Sequence, residues 1–169
     1  LYDALWDECD ARLGKSAQVY RESGDIHGWG ASSLLQSFVV HARGHVAAVR
    51  ATGEEMIRAG DDAADPQLVS WGLQVAGFAH VDTGPLPEAE RQLRRGRDMA
   101  ARIPAWDNHL YQSSLLAKCL VLQGRADEAL PIVEESRRVM LREKLKLPFD
   151  RIETVISEAT VRLALAERA

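Results

Sequence analysis

Three glycines recur at an interval of 40 residues, and this interval constrains the fold more than any other feature of the sequence. They are Gly44, Gly84 and Gly124. Aligned on them, three further columns carry mostly small or apolar residues, namely Ser37, Gly77 and Ala117; Val40, His80 and Leu120; and Val49, Ala89 and Ala129. Such columns at helical offsets on both sides of a glycine predict a pair of helices that repeats along the chain.

Apolar spacing and punctuation residues divide the chain into helices. The predicted helices span about 3–22, 31–43, 46–60, 66–82, 87–102, 108–123, 126–146 and 150–167. The residues that bound them are Asp65, Asp107 and Asp150 as N-caps, Pro66 as a first-turn residue, and Pro104 and Pro148 as breaks. The glycine-rich stretch Ser23–Gly30 predicts the clearest loop. In the first helix, the apolar positions Leu5, Cys9, Leu13, Ala17 and Tyr20 follow i, i+4 spacing.

The two helices of each pair differ in composition. Pro66–Val81 has no charged side chain, whereas Glu88–Arg102 is dominated by Arg, Glu and Asp. A helix that is apolar nearly all round is enclosed by neighbours, and a helix with one charged face lies outside. The sequence therefore predicts two layers, with first helices inside and second helices outside. Each glycine of the 40-residue series is predicted to end a first helix in the left-handed conformation.

This pattern resembles a tetratricopeptide repeat (TPR) array, most closely in Gln123–Val139 and in the small, turn and bulky positions of the repeat. The matching positions are Ser37, Gly77, Ala117, Gly84, Gly124, Ala89, Ala129, Leu93 and Val133. The resemblance implies an all-α, right-handed superhelical solenoid of about seven to eight antiparallel helices. Two features depart from the usual pattern: the period is 40 residues, where the family has about 34, and Gly53 stands at a position that is usually bulky. In these departures the chain resembles the degenerate repeats that follow ATPase modules in bacterial nucleotide cyclases and LuxR-type regulators.

The resemblance covers about three pairs of helices, with a half-repeat at each end. The repeat units are about 1–22 (half), 31–62, 66–102, 106–146 and 149–169 (half), in one domain. Because the chain opens at Leu1 inside a helical pattern, we expect a fragment of a larger protein. Self-association is expected as well, since the first and last helices leave apolar edges uncovered.

The charge and the cysteine content of the chain limit which partners and which cellular compartment are expected. The net charge of −4, from 21 basic and 25 acidic residues, does not favour nucleic acid or an anionic membrane. Cys9 and Cys119 are far apart, so we expect two buried structural thiols and a cytoplasmic protein. Neither of the longest uncharged stretches supplies the ~20 strongly apolar residues that span a bilayer.

No sequence motif favours catalysis. The chain lacks the glycine-rich phosphate loops and the serine elbow that would place a nucleotide or a nucleophile. His41 and His45, read as i and i+4 on one helix, offer two nitrogens, but no third ligand lies within a turn. We therefore expect a packed or exposed histidine pair, no metal, no cofactor and no enzymatic activity; any ATPase or cyclase domain of the parent protein lies outside this chain.

Two basic runs lie on the charged helices, one repeat apart. They comprise Arg91, Arg94, Arg95, Arg97 and Arg102, and then Arg137, Arg138, Arg142, Lys144 and Lys146. One interpretation is a patch for an acidic partner or a phosphate backbone. The other, which we favour, is a solvated outer face in which Arg94 pairs with Glu134 and Arg95 with Glu135.

The resemblance also implies a binding groove on the first helices. Carried over by position, its candidate residues are Leu34, Phe38, Trp71, Gln74, Phe78, Tyr111, Ser114 and Lys118. Groove and core are both open for Trp71 and Tyr111, whereas the core is favoured for Phe38 and Phe78. The expected function is protein–protein or interdomain interaction and scaffolding in a larger bacterial signalling or regulatory protein. The alternative is a sensing domain with a small-molecule effector in the concave groove.

Overall fold

Eight α-helices joined by short turns form the computed structural model, which describes residues 2–103, 105–144 and 148–168. The helices are α1 (Tyr2–Ser23), α2 (Ile26–Ala42), α3 (Val46–Asp62), α4 (Pro66–Thr83), α5 (Leu86–Arg102), α6 (Trp106–Leu122), α7 (Ala126–Arg142) and α8 (Pro148–Ala166). No strand occurs in these ranges, so the predicted all-α class is confirmed. Two predicted features, the break at Pro104 and the cation Lys146, lie outside the described residues.

The turns recur every 20 residues, at half the interval found in the sequence. Residues with a left-handed backbone are Gly24 (φ 78°), Gly44 (φ 80°), Ala64 (φ 52°), Gly124 (φ 76°) and Lys144 (φ 52°). The predicted 40-residue repeat is therefore two equal units, each of one helix and one turn. Ala and Lys at two of these positions hid the shorter interval, because only glycine marks a left-handed residue in the sequence.

Gly84 departs from the predicted turn geometry. Gly44 and Gly124 take the left-handed conformation as predicted, but Gly84 is extended, with φ −125° and ψ −164°. The cause is Pro85, because the proline ring restricts the preceding residue to extended conformations. The prediction of a left-handed C-cap was wrong at this one glycine.

The predicted loop over Ser23–Gly30 is also wrong, because α2 begins at Ile26. Asp25 is the N-cap, and its carboxylate accepts a hydrogen bond from the backbone N–H of Gly28 at 2.8 Å. A β-carbon on Gly28 would lie 2.5 Å from the Tyr20 ring, so this glycine serves close packing of α1 on α2. Glycine here marks a contact between helices instead of a loop.

The other helix boundaries agree with the sequence to within four residues. Asp65 caps α4 as predicted and accepts hydrogen bonds from two first-turn N–H groups. Asp107 is not a cap, because α6 begins one residue before it at Trp106. Nor does the last helix begin at Asp150, since α8 starts at Pro148, and α7 ends at Arg142.

The even-numbered helices form the inner layer. Helix α2 packs on α4, α4 on α6 and α6 on α8, whereas the backbones of the odd-numbered helices come close only to their neighbours in the chain, within the described ranges. Long side chains such as Arg97 on α5 and Glu135 on α7 still join odd-numbered helices to each other. Burial follows the same division: most of α4 and α6 is buried, but only four residues of α5 are. First helices inside and charged helices outside is the arrangement predicted from composition.

Glycines bring α3 against α4 more closely than any side chain would allow. A β-carbon on Gly53 would lie 2.5 Å from the backbone nitrogen of Ala76, and one on Gly72 would lie 2.7 Å from the nitrogen of Ile57. The two backbones are therefore in contact, and α3 packs far more extensively on α4 than on α2. This contact explains why Gly53 stands where the TPR pattern has a bulky residue.

Two apolar clusters form the core. One extends from α1 to α4 around Met56 and Leu68, and the other from α4 to α8 around Leu93 and Leu116; Phe78 packs against both. All three small or apolar columns are largely buried, as their spacing predicted.

Most apolar positions of α1 are not buried. Ala17 is buried, but Leu5, Cys9 and Tyr20 are exposed, because α1 packs only on α2 within the described ranges. Of the two predicted buried thiols, only Cys119 is buried, and burial raises its pKa.

Candidate functional site

The predicted groove residues share one face of the inner layer, on α2, α4 and α6. We call this the inner face, and it comprises Leu34, Phe38, His41, Trp71, Gln74, Phe78, Asp82, Tyr111, Ser114 and Lys118. Five of the eight predicted residues keep accessible surface, namely Leu34, Phe38, Trp71, Phe78 and Lys118. The other three, Gln74, Tyr111 and Ser114, are buried.

Three aromatic rings meet at the centre of the inner face. Phe38 on α2 lies 5.3 Å, edge to face, from Tyr111 on α6, and 6.0 Å from Phe78 on α4, measured between ring centroids. Phe78 and Tyr111 are 6.3 Å apart. Because Phe38 reaches α6 across α4, the rings bind three inner helices together. Phe38 and Phe78 are half-buried at the edge of the core, so each belongs partly to the core and partly to the surface.

An ionic cluster follows the aromatic rings along the same three helices. His41 Nε2–H donates to Asp82 Oδ2 at 2.6 Å, and Lys118 Nζ donates to Asp82 Oδ1 at 2.8 Å. Partial burial alone would raise the pKa of the Asp82 carboxyl, but the hydrogen bonds and charge of Lys118 and His41 outweigh it and lower that pKa. The His41 ring also stacks on Phe78, with centroids 3.8 Å apart.

Trp71 lies at the other end of the inner face. It remains partly exposed, and its ring centroid is 4.9 Å from that of His27. His27 Nδ1–H in turn donates to the Asp65 carboxylate at 3.0 Å. An indole that is anchored on one side and accessible on the other offers apolar area at little entropic cost.

A cavity of about 430 Å³ opens beside the ionic cluster, between α6 and α8. Its apolar lining is Leu115, Val121, Leu122 and Ile156. This volume lies within the range of roughly 300–1,000 Å³ typical of ligand pockets.

Polar groups occupy the rest of the cavity lining. Ser114 accepts a hydrogen bond from the Ser157 hydroxyl at 3.3 Å, and Thr160, Lys118 and Glu153 line the space with them. Glu153 is half-buried, which raises the pKa of its carboxyl against the nearby positive charge of Lys118. It forms no direct hydrogen bond or ion pair within the described ranges.

Sequence reasoning missed His41 and Asp82 as parts of the inner face, and Glu153 as part of the cavity lining. His41 and His45 were predicted to lie on one helix, as a packed or exposed histidine pair or, less favoured, as two metal ligands. Their placement on one helix is wrong, because His41 lies in α2, whereas His45 follows the turn and is the N-cap of α3. The 41-residue separation of His41 and Asp82, one residue more than the repeat, is a signal that could have paired them.

Most arginines of the two basic runs are paired with carboxylates. The pairs are Arg91–Glu88, Arg94–Glu90, Arg95–Asp61, Arg97–Glu135, Arg137–Glu158 and Arg142–Glu143. The predicted bridges from Arg94 to Glu134 and from Arg95 to Glu135 are therefore wrong. Glu135 pairs instead with Arg97, which lies two residues after Arg95 on α5.

A separate polar network is buried between α4, α5 and α6. Asn108 and Gln112 both donate to the Ser70 hydroxyl at 3.1 Å, and Gln112 also donates to Asn108 at 2.6 Å. A β-carbon on Gly96 would lie 1.9 Å from Gln112 Oε1, so this glycine makes room for the amide. The network fixes the register of three helices away from the inner face.

The fold and the inner face define a two-layer stack of antiparallel helices with one surface of accessible aromatic side chains. No helix in the described part of the chain is long and apolar enough to cross a bilayer. Comparison with protein-family models gives no match, and comparison with curated proteins gives no significant match. The resemblance to TPR arrays therefore stays a prediction from the sequence.

Proposed function

We propose that this chain is a protein–protein or interdomain interaction module of TPR-like type within a larger bacterial signalling or regulatory protein. Its mechanism is non-covalent: a preformed surface holds a partner segment without any reaction. The proposal includes neither enzymatic activity nor a cofactor, and the partner is a protein or peptide segment or another domain of the same chain.

One observation carries this proposal. Half-buried apolar side chains on two adjacent helices, Phe38, Phe78 and Trp71, remain accessible while contacts across the inner layer hold them in place. Aromatic anchors that lose little rotamer freedom on binding are the side chains that dominate binding energy at interfaces. The outer layer offers a partner fewer free charges, because most arginines of its two basic runs already pair with carboxylates of the same chain. This pairing also gives little support to nucleic-acid binding.

The second candidate function is sensing of a small molecule. The observation that favours it is the α6–α8 cavity of about 430 Å³, with apolar walls and convergent polar groups. A sensing function places the ligand at that end of the inner layer and leaves Trp71 unused.

A variant at the Trp71 end of the inner face tests the interaction proposal. Wild type, Trp71→Ala and the outer-face control Arg138→Ala are immobilised, and proteins retained from an extract of the source organism are quantified. We expect a partner that is retained by wild type and by Arg138→Ala but reduced at least about tenfold by Trp71→Ala, the cost of about 1.4 kcal/mol or more at a hot spot. Circular dichroism confirms that the variants are folded. Equal retention by Trp71→Ala, or loss confined to Arg138→Ala, would contradict the proposal.

A further inference from the structure

The described residues of the inner layer leave a cavity open between α6 and α8. Phe38 and Phe78 occupy equivalent positions in α2 and α4, and their rings cover the spaces between α2, α4 and α6. One repeat further, the equivalent residue is Lys118, which extends to Asp82. Among the described side chains, the equivalent position on α6 therefore supplies no aromatic ring to the space between α6 and α8.

A second position in the same register is also smaller. Leu34 and Gln74 correspond to Ser114, whose hydroxyl meets that of Ser157 at the base of the gap. The resulting space of about 430 Å³ is well above the roughly 150 Å³ that accommodates a benzene ring. An apolar side chain from a partner fits where the earlier repeats carry their own phenylalanine.

Charge in the lining selects what accompanies that side chain. Lys118 is already paired with Asp82, so its charge is compensated. Glu153 has no direct ion pair within the described ranges, yet it is half-buried. A half-buried carboxylate without a direct ion pair is unfavourable even with Lys118 nearby, and a cationic group that pairs with it beside the cavity lowers that cost.

We propose that the α6–α8 cavity binds a peptide segment that presents an aromatic or large aliphatic side chain next to Arg or Lys. The apolar side chain enters between Leu115 and Ile156, and the cation pairs with Glu153. This inference rests on the proposed interaction function and names the chemistry of the segment that is held.

The probes are blocked dipeptides titrated into the ¹⁵N-labelled chain and followed by NMR. They are N-acetyl-Phe-Arg-amide, its Gln and Glu analogues at the second position, and N-acetyl-Ser-Arg-amide. We expect the Phe-Arg probe to shift amides around Leu115 and Ser157, with a Kd about three- to fivefold below that of the Phe-Gln probe, the effect of one exposed ion pair. The Phe-Glu and Ser-Arg probes should bind more weakly than Phe-Arg.

Variants separate the two parts of the proposal. Glu153→Gln should make the Phe-Arg and Phe-Gln probes equal in affinity. The matched control is Glu167→Gln, directly after the end of α8, which should preserve the difference in affinity between the two probes. Thr160→Trp fills the cavity from its rim and should weaken every Phe probe, with folding checked by the unchanged shifts of α2 and α4.

Several results would overturn the inference: no shifts at millimolar probe, shifts that map elsewhere, Phe-Glu binding as tightly as Phe-Arg, or a preference that survives Glu153→Gln. If these occur while a partner still depends on Trp71, only this inference fails. If Phe-Arg binds as expected but no partner depends on Trp71, the proposed use of the inner face fails instead.

Discussion

Ala64 holds a left-handed backbone conformation that costs an L-residue about 1–2 kcal/mol. We expect Ala64→Gly to stabilise the chain by about 0.5–1 kcal/mol, because glycine removes the steric cost but adds entropy to the unfolded state. Urea unfolding measures the change. The matched control is Gly44→Ala, whose β-carbon meets nothing within 4 Å, so its expected loss of about 1 kcal/mol comes from the backbone alone. Equal losses for both variants would contradict the turn geometry.

Glu90 is the most strongly stabilised carboxylate among the described residues. Burial opposes its ionisation, but hydrogen bonds from Arg125 at 2.6 Å, Gln123 at 3.0 Å and Arg94 at 2.9 Å lower its pKa to about 2. The folded chain therefore holds this site deprotonated at pH values where the unfolded chain, with a pKa near 4.5, takes up a proton.

This difference gives stability a pH dependence of known sign. The contribution is complete above about pH 4.5 and is lost as the pH falls toward 2. We expect Glu90→Gln to cost about 1–3 kcal/mol at pH 7 and to flatten the loss of stability between those two pH values. Urea unfolding over a pH series measures both. Glu54→Gln, at an exposed ion pair with Arg50, should change neither, and identical acid profiles for wild type and Glu90→Gln would refute the assignment.

The closest helix contact, between α3 and α4, sets the sign of a glycine substitution. In most helices Gly→Ala stabilises by about 0.5–1 kcal/mol. At Gly53 we expect a net loss of about 1–3 kcal/mol, because the new β-carbon meets the backbone of Ala76 and the helices must separate. At Gly14 the new β-carbon lies 3.0 Å from the flexible end of Gln36, so Gly14→Ala should stabilise. Thermal unfolding of both variants checks the opposite signs; two stabilised variants would mean that α3 and α4 are further apart.

The start of a helix could be predicted from the sequence where local residues determine it, and not where a contact with another helix does. The start of α4 was predicted because Asp65 and Pro66 act locally, through a cap and a preset φ. The start of α2 was not, since Gly28 is in the helix for the sake of Tyr20, a tertiary contact that no local pattern reveals. The 20-residue unit was hidden because Ala64 takes a left-handed backbone that alanine does not mark in the sequence.

The sequence predicted which side chains share the inner face, but not the ionic contacts between them. The 40-residue register placed Phe38, Phe78 and Tyr111 on one face, and the rings do meet. It did not place Asp82 between His41 and Lys118, because an ionic contact depends on side-chain direction and reaches across helices. Periodicity predicts which face of a helix a residue occupies. It does not predict hydrogen bonds, because these depend on differences in position smaller than one helical turn.

At the scale of the whole molecule, both end helices leave apolar side chains exposed. Val155 and Leu163 on α8 are 59% and 61% exposed, and Leu5 on α1 is 60% exposed. We expect the 169-residue chain to self-associate as its concentration rises, because contiguous apolar patches favour contact. Leu163→Glu should reduce the mass measured by light scattering, whereas Ala47→Glu, an equal charge change at an exposed site on α3, should not. A monomer at every concentration would refute the expectation.

The 20-residue spacing of the turns limits how this chain can change in length. Each helix belongs to the layer opposite to that of its neighbours. A duplication of one helix and one turn would therefore exchange the two faces for everything downstream, burying charged helices and exposing apolar ones. A duplication of two such units restores the alternation. Growth or loss in this lineage is thus expected to proceed by even numbers of helices, and engineered versions should be lengthened in the same way.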